Sequence, residues 1–128
     1  MSHPSSELVR RAFDAFGRDP IVVARTLADD IVWRVPGSNQ MSGEYQGRDA
    51  VLKFLRQTLV LTDRTYRTEL QYVVAEGERA VAVYRARGER NGRVLDIEQA
   101  LFCVIRDEQI AEVTAVPLDF PAFEAFWA

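Results

Sequence analysis

Ala28-Asp29-Asp30-Ile31-Val32-Trp33-Arg34-Val35-Pro36-Gly37, followed after a polar turn by Gly47-Arg48-Asp49-Ala50-Val51, is the stretch on which the fold turns. Ile31, Trp33 and Val35 alternate with Val32 and Arg34, so a short strand carries the first three to one face, into the protein. Pro36-Gly37 ends that strand, because proline has no ladder N–H and glycine accepts turn geometry. Residues 37–47 read as a polar loop holding Tyr45, long enough to act as a rim or lid. A helix opens at Arg48 and runs to about Leu61, with Val51, Phe54, Leu55 and Leu59 on one face.

Working outward, residues 1–5 read as a disordered tail. Leu8, Val9, Ala12, Phe13 and Phe16 recur at helical spacing from Ser6 to Gly17. Asp19 can cap a second helix, and Pro20 suits its first turn, where a missing N–H costs nothing. That helix is expected to carry Ile21, Ala24 and Leu27 inward and to end near Asp29-Asp30. Beyond the third helix, alternation takes over: strands are expected over 66–75, 80–89, 94–106 and 110–116. Asn91-Gly92 is a two-residue hairpin signal, and Asp107-Glu108-Gln109 reads as a turn. Pro117 breaks the last strand, and Phe120 to Trp127 reads as a short apolar helix. Helices first and antiparallel strands after give an α+β domain, one domain over 1–128, its sheet curled over the helices.

The 128 residues are 48% hydrophobic with a net charge of −3, ordinary for a globular chain. Interspersed arginines and acids argue against nucleic acid, which needs a concentrated basic face. Apolar runs are too short for a membrane span, and the N-terminus lacks the apolar core of a signal peptide, so a cytoplasmic protein is expected. Cys103 stands alone inside an apolar strand and reads as a core residue. His3 is the sole histidine, which removes His-based metal sites, Ser-His-Asp triads and histidine bases. No metal and no other cofactor is expected. Proton transfer is left to a carboxylate, Tyr, Lys53, Cys103 or water.

On the long strand, one face shows Leu95, Ile97, Gln99, Leu101, Cys103 and Ile105, apolar except for Gln99. Ala82, Tyr84, Ala86 and Gly88 share that face from the preceding strand, and small residues around one Tyr leave volume for a guest. Two readings of Gln99 stand side by side: packing, with a bond to Tyr84 or water, or contact with a ligand. Arg34, Arg85 and Arg87 should face outward, the last two meeting Glu98 and Asp96 across strands. Tyr45 either packs or donates to a ligand oxygen, and Trp33 is either core or one wall of a binding site. Phe123, Phe126 and Trp127 either plug the end of the fold or seal a dimer.

This order of elements, with Ala28-Asp29-Asp30, Trp33, Pro36-Gly37, Gly47-Arg48-Asp49-Ala50-Val51 and the ending Asp119 to Trp127, resembles the nuclear transport factor 2-like superfamily. Its SnoaL-like branch, which holds polyketide cyclase-like and uncharacterised actinobacterial-type members, is the most similar. The resemblance covers residues 7–127 and implies an α+β cone open at one end, a pocket inside it and a homodimer across the sheet. Glu108 stands where Gly is usual and Thr114 where Trp is common. The superfamily hosts many reactions, so the resemblance speaks to fold more than to function.

The superfamily's chemistries each require particular residues at particular positions. The ketosteroid isomerase-like set would need a carboxylate at Val35, a Tyr near Ala12 or Phe13 and an Asp at Leu101. The SnoaL-like cyclase and epoxide hydrolase-like sets would need an Asp at Ala115, the latter also charged partners near Tyr84 and Ala86. Each set is absent. The resemblance often places an acid where Asp119 stands, at the cavity's edge. Lodged against Trp33 and Phe120, Asp119 would be desolvated toward a usable pKa; it also occupies an N-cap position before Phe120-Pro121.

Three functions follow as expectations. The first is a cofactor-independent cyclase, isomerase or dehydratase on an apolar polyketide- or terpenoid-type metabolite. In it Asp119 moves the proton, Gln99, Tyr84 and Tyr45 polarise an oxygen, and Trp33 and Leu101 contribute wall. The second is a non-catalytic binding module for an apolar ligand. The third is a dimerisation domain whose cavity is filled.

Overall fold

The computed structural model describes residues 3–128. Its elements run α1 Pro4–Ala15, α2 Pro20–Thr26, β1 Leu27–Val35, β2 Gly43–Gln46, α3 Arg48–Val60, β3 Arg67–Glu76, β4 Arg79–Arg90, β5 Arg93–Arg106, β6 Gln109–Pro117 and α4 Phe120–Trp127. The strands form one curved sheet in the order β2-β1-β6-β5-β4-β3. All neighbours are antiparallel except β1 and β6. Helix α1 lies against β3 and β4, α3 against β1 and β2, and α4 against β5, so the helices fill a cone of sheet. This is the expected α+β architecture. No helix among the described residues is long and apolar enough to cross a membrane.

The inward alternation stands. Ile31, Trp33 and Val35 are buried on β1, and every second residue from Leu95 to Ile105 is buried on β5. Ala82, Tyr84, Ala86 and Gly88 face the same interior from β4. The β4–β5 hairpin closes through Asn91 (φ 51°) and Gly92 (φ 77°), the left-handed pair that a twisted hairpin requires. The β5–β6 connection is equally tight and uses Asp107 (φ 53°) and Glu108 (φ 62°), with Gln109 already in β6.

Several boundaries differ from expectation. Helix α1 begins at Pro4, because His3 Nδ1 accepts from the Ser5 N–H (3.1 Å) and Ser5 Oγ donates to the Gly77 carbonyl (2.9 Å). Residues 3–5 are therefore part of the fold; Met1 and Ser2, the rest of the expected tail, lie outside the described residues. Helix α2 stops at Thr26. Val23 and Thr26 form its buried stripe, while Ile21 points to solvent, 63% exposed. Leu27 is buried as expected, but as the first residue of β1. Asp29 and Asp30 belong to an outward irregularity of that strand, between the Leu27–Ile110 and Val32–Glu112 pairs. Arg48 holds Asp29 at 2.6 Å and Arg106 holds Asp30 at 2.8 Å.

The expected 37–47 loop is interrupted by β2, which pairs with β1 so that Tyr45 opposes Trp33. On β3 the register shifts between Leu70 and Tyr72. Tyr66, Thr68 and Leu70 face inward before the bulge; Val73 and Ala75 do so after it, leaving Tyr72 and Val74 exposed.

Helix α4 plugs the cone, with Phe123 and Trp127 lining its interior. Phe123, Phe126 and Trp127 are buried within the single chain, which decides between plug and dimer seal. Glu124 clasps the helix to the loop after β1, accepting from the Ser38 N–H (3.2 Å) and hydroxyl (3.1 Å) and from Asn39 Nδ2 (2.6 Å). Gly37 (φ 96°) permits that approach, since a Cβ there would overlap the Glu124 carboxylate. Gln40 Nε2 donates to the Trp127 carbonyl (3.1 Å) and Arg90 Nη1 to that of Phe126 (3.0 Å).

The outer face of the sheet carries charge. Arg85 meets Asp96 (2.6 Å) and, more loosely, Glu98 (3.9 Å), while Arg87 meets Asp96 (3.3 Å) and Glu69 (3.5 Å). Arg34 bridges Glu44 and Glu112. Phe102 is half-exposed on the same face.

Candidate functional site

Inside the cone lies a cavity of about 100 Å³. Leu101 and Cys103 of β5 with Val113 and Ala115 of β6 form one wall, because the Leu101–Ala115 and Cys103–Val113 pairs put four side chains on one face. Ala12 and Phe13 of α1, Phe16 at its C-cap, and Phe54, Leu55 and Thr58 of α3 form the opposite side. Met41, Phe123 and Trp127 close the end. The burial of apolar side chains that stabilises the cone thus also shapes an interior of low polarity.

Two polar features stand out in this lining, beside the hydroxyls of Tyr66, Thr58 and Thr68. Tyr84 and Gln99 are directly paired across β4 and β5, and Gln99 Nε2 donates to the Tyr84 hydroxyl at 2.7 Å. Phe13 packs on the Tyr84 ring, with centroids 5.0 Å apart. Gln99 Oε1 is buried and has no hydrogen-bond partner. The second feature is Trp33, set by β1 against Phe54 (5.7 Å) and buried, with its indole Nε1–H also unpartnered. Such orphans are uncommon in native interiors.

Every titratable group that lines the cavity is held protonated. Burial pushes the Tyr84 phenol well above its ordinary value, and the neighbouring Tyr66 adds to that. Burial raises Tyr66 too, with hydrogen bonding to Tyr84 offsetting a part. The Cys103 thiol is pushed up to about 12 by burial, which makes it inert as a nucleophile. Among the described residues no carboxylate, imidazole, ammonium or guanidinium lines the space. The interior can offer hydrogen bonds and apolar contact.

The expected site residues divide accordingly. Trp33, Tyr84, Gln99 and Leu101 line the cavity together. Tyr45 does not: its hydroxyl donates to the Met41 carbonyl at 2.7 Å and its ring packs on Phe54 at 4.5 Å, so it buttresses the wall. Asp119 departs furthest from expectation. It is exposed, lies outside the cavity and accepts from the Ala122 N–H at 3.2 Å as the N-cap of α4. Desolvation against Trp33 does not occur, because the chain turns outward at Leu118, itself 61% exposed.

Tyr66 belongs to the site and was not singled out from the sequence. Its ring lies between Phe16 (6.1 Å) and Trp127 (5.8 Å), and Gly88 leaves room for its backbone. The signal was present: Tyr66 shares the phase of Thr68 and Leu70. Positions expected to lack the familiar acids, Val35, Leu101, Ala115 and Ala86, all face inward and hold no charge.

The SnoaL-like domain family matches residues 9–113. An uncharacterized protein of Mycobacterium tuberculosis is 33% identical over 124 residues, 95% of either chain. Bal32a, from a soil-derived mobile gene cassette, shares the fold with a TM-score of 0.95 at 23% identity, over 98% of this chain and 97% of that one. A nuclear transport factor 2-like protein of Burkholderia xenovorans superposes with a TM-score of 0.83 at 21% identity, over 100% of this chain and 98% of its own. The chain belongs to the SnoaL-like domain family, on a nuclear transport factor 2-like cone.

Proposed function

We propose that this SnoaL-like domain is a receptor for a small, uncharged, largely apolar molecule held inside the cone. The observation that carries the reading is the cavity's lining: largely apolar walls, neutral polar side chains and, among the described residues, no carboxylate, imidazole, ammonium or guanidinium. A charged guest would leave its ion unpaired in a low-dielectric space, at a cost of several kcal/mol. Size restricts the guest further. An apolar cavity of ~150 Å³ accepts benzene, so one of about 100 Å³ takes a single ring only as its walls give.

A second reading keeps the fold's enzymatic potential: a cofactor-independent cyclase, isomerase or dehydratase acting on a polyketide- or terpenoid-type molecule. The favouring observation is the Tyr84–Gln99 pair, a neutral phenol and amide able to polarise an oxygen without a formal base. A guest of that size requires the α4 clasp to open. The empty space beside Trp33 and Trp127 speaks against a filled, purely structural interior. The same reading takes the protein as a homodimer through the outer face that carries Phe102.

The test is a thermal-shift screen of uncharged ring compounds, with tryptophan fluorescence followed in parallel. A guest at a hundred times its dissociation constant adds about 2.7 kcal/mol, a rise of several degrees in Tm. Filling the cavity by Ala115→Leu should abolish the shift in a protein that remains folded. A shift that survives the filling variant, or silence across the panel, overturns the receptor reading.

A further inference from the structure

Resting on the receptor reading, we infer that the guest bears a hydrogen-bond-accepting oxygen, as a small ketone does, held by the Tyr66 hydroxyl. Tyr66 stands in a mouth between α1, α3 and the start of β3, through which the guest enters. Exposure gives the position of that mouth. The residues that line the cavity from α2, α4 and strands β1, β4, β5 and β6 are all buried. The half-buried ones stand on α1 and its C-cap, on α3 and where β3 begins, among them Phe13, Phe16, Leu55 and Tyr66. Helix α1 packs on β3 and β4, and α3 on β1 and β2, so the two helices cover opposite ends of the sheet with a gap between them.

Tyr66 spans this gap. Its ring meets Phe16 on the mouth side and Trp127 on the inner side, with centroids 6.1 and 5.8 Å away. Its hydroxyl is hydrogen-bonded to that of Tyr84, whose oxygen takes the Gln99 Nε2–H at 2.7 Å. Counting hydrogens leaves one over. Two phenols joined by one bond use a single O–H between them. Gln99 Oε1, the nearest free acceptor on that ladder, stays unpartnered and does not take the other. Accepting from Gln99 makes Tyr84 the stronger donor, so the chain runs from Gln99 through Tyr84 and ends in the O–H of Tyr66. A guest oxygen completes that chain, while the apolar remainder goes inward toward Leu101, Val113 and Ala115. The uncharged lining selects a neutral acceptor, so a ketone fits where a carboxylate does not.

The experiment titrates the protein by NMR with acetone and with isobutene, which keeps the shape and replaces the oxygen by a methylene group. Both are smaller than benzene, as a cavity of about 100 Å³ demands. Tyr66→Phe should weaken acetone about fivefold, the loss of one hydrogen bond, and leave isobutene within about twofold. In wild-type protein carrying isotope-labelled tyrosine, acetone should move the Tyr66 Cζ resonance further than isobutene does. Leu55→Ala, which widens the mouth, should speed the exchange of both probes. Glu124→Gln, which loosens the α4 clasp, should leave their exchange unchanged.

Equal losses of the two probes in Tyr66→Phe overturn this inference and leave the receptor reading standing. Isobutene that moves the Tyr66 resonance as far as acetone does the same, as does exchange that responds to Glu124→Gln and ignores Leu55→Ala. Binding of neither probe overturns both readings. If Tyr66→Phe does not fold, the labelled wild-type protein decides alone.

Discussion

The two faces of the β4–β5 ladder carry polar groups one residue apart in sequence and under different physics. Outside, Arg85, Arg87, Asp96, Glu98 and Glu69 form a lattice of ion pairs whose members all keep contact with water. Inside, one bond joins Gln99 to Tyr84 in a wall otherwise apolar. An outer charge that loses its partner turns to water, so each pair contributes little and salt screens it. The inner amide has no such recourse, and its unpartnered oxygen represents a larger free energy than any single outer pair. Polar contacts are therefore most numerous where least depends on them.

The largest expected contrast lies between adjacent residues of β5. Leu101 is 7% exposed and Phe102 50%. Leu101→Ala should cost roughly 2–5 kcal/mol by equilibrium denaturation, from lost transfer energy plus a larger void. Phe102→Ala should cost under about 1 kcal/mol in the isolated chain. Equal costs would break the distinction between faces, and a Phe102→Ala cost that grows with protein concentration would show a second copy covering the outer one.

Glu124 sharpens the comparison from an intermediate setting. Burial works to raise its pKa, but hydrogen bonds from Asn39 and Ser38 outweigh it and hold the carboxyl below its ordinary 4.5. A pKa lowered on folding contributes stability that is present above that ordinary value and lost as pH falls through the folded one. Glu124→Gln should thus lower Tm at neutral pH, with the gap to wild type closing on acidification below about 4.5. A gap independent of pH would show that the clasp depends on shape and owes nothing to the charge.

The smallest effect belongs to the outer lattice. The Arg85 hydrogen bond and the Arg85 and Arg87 charges hold Asp96 below the usual carboxylate range. Asp96→Asn should lower Tm by about 2 °C or less, and about 1 M salt should erase the difference. A large, salt-insensitive loss would mean that the outer face is not hydrated as described.

The sequence alone determined the strands from β4 to β6, their inward faces and the placing of Trp33, Tyr84, Gln99 and Leu101 around one space. Period-two alternation is local and strong, and a one-residue slip would have exposed Leu95, Ile97 and Leu101 together. The absence of familiar acids at Val35, Leu101 and Ala115 was legible only through the family resemblance, which says where those acids would stand.

Tertiary structure decided the rest. The bulge after Leu70 reverses the facing of β3, and no local pattern records an extra residue that pairing with β4 imposes. The β2 strand exists because β1 offers it an edge; Glu44-Tyr45-Gln46 is too short to be legible unaided. Asp119 read first as a helix cap and second as a buried acid, and the structure places it as a cap at the surface, beside the outward turn at Leu118. Trp33 and Gln99 were each legible as inward residues, but that both end without partners in one interior depends on how the sheet and four helices close around it. Burial at that scale belongs to the assembled fold, because it is set by residues far apart in the chain.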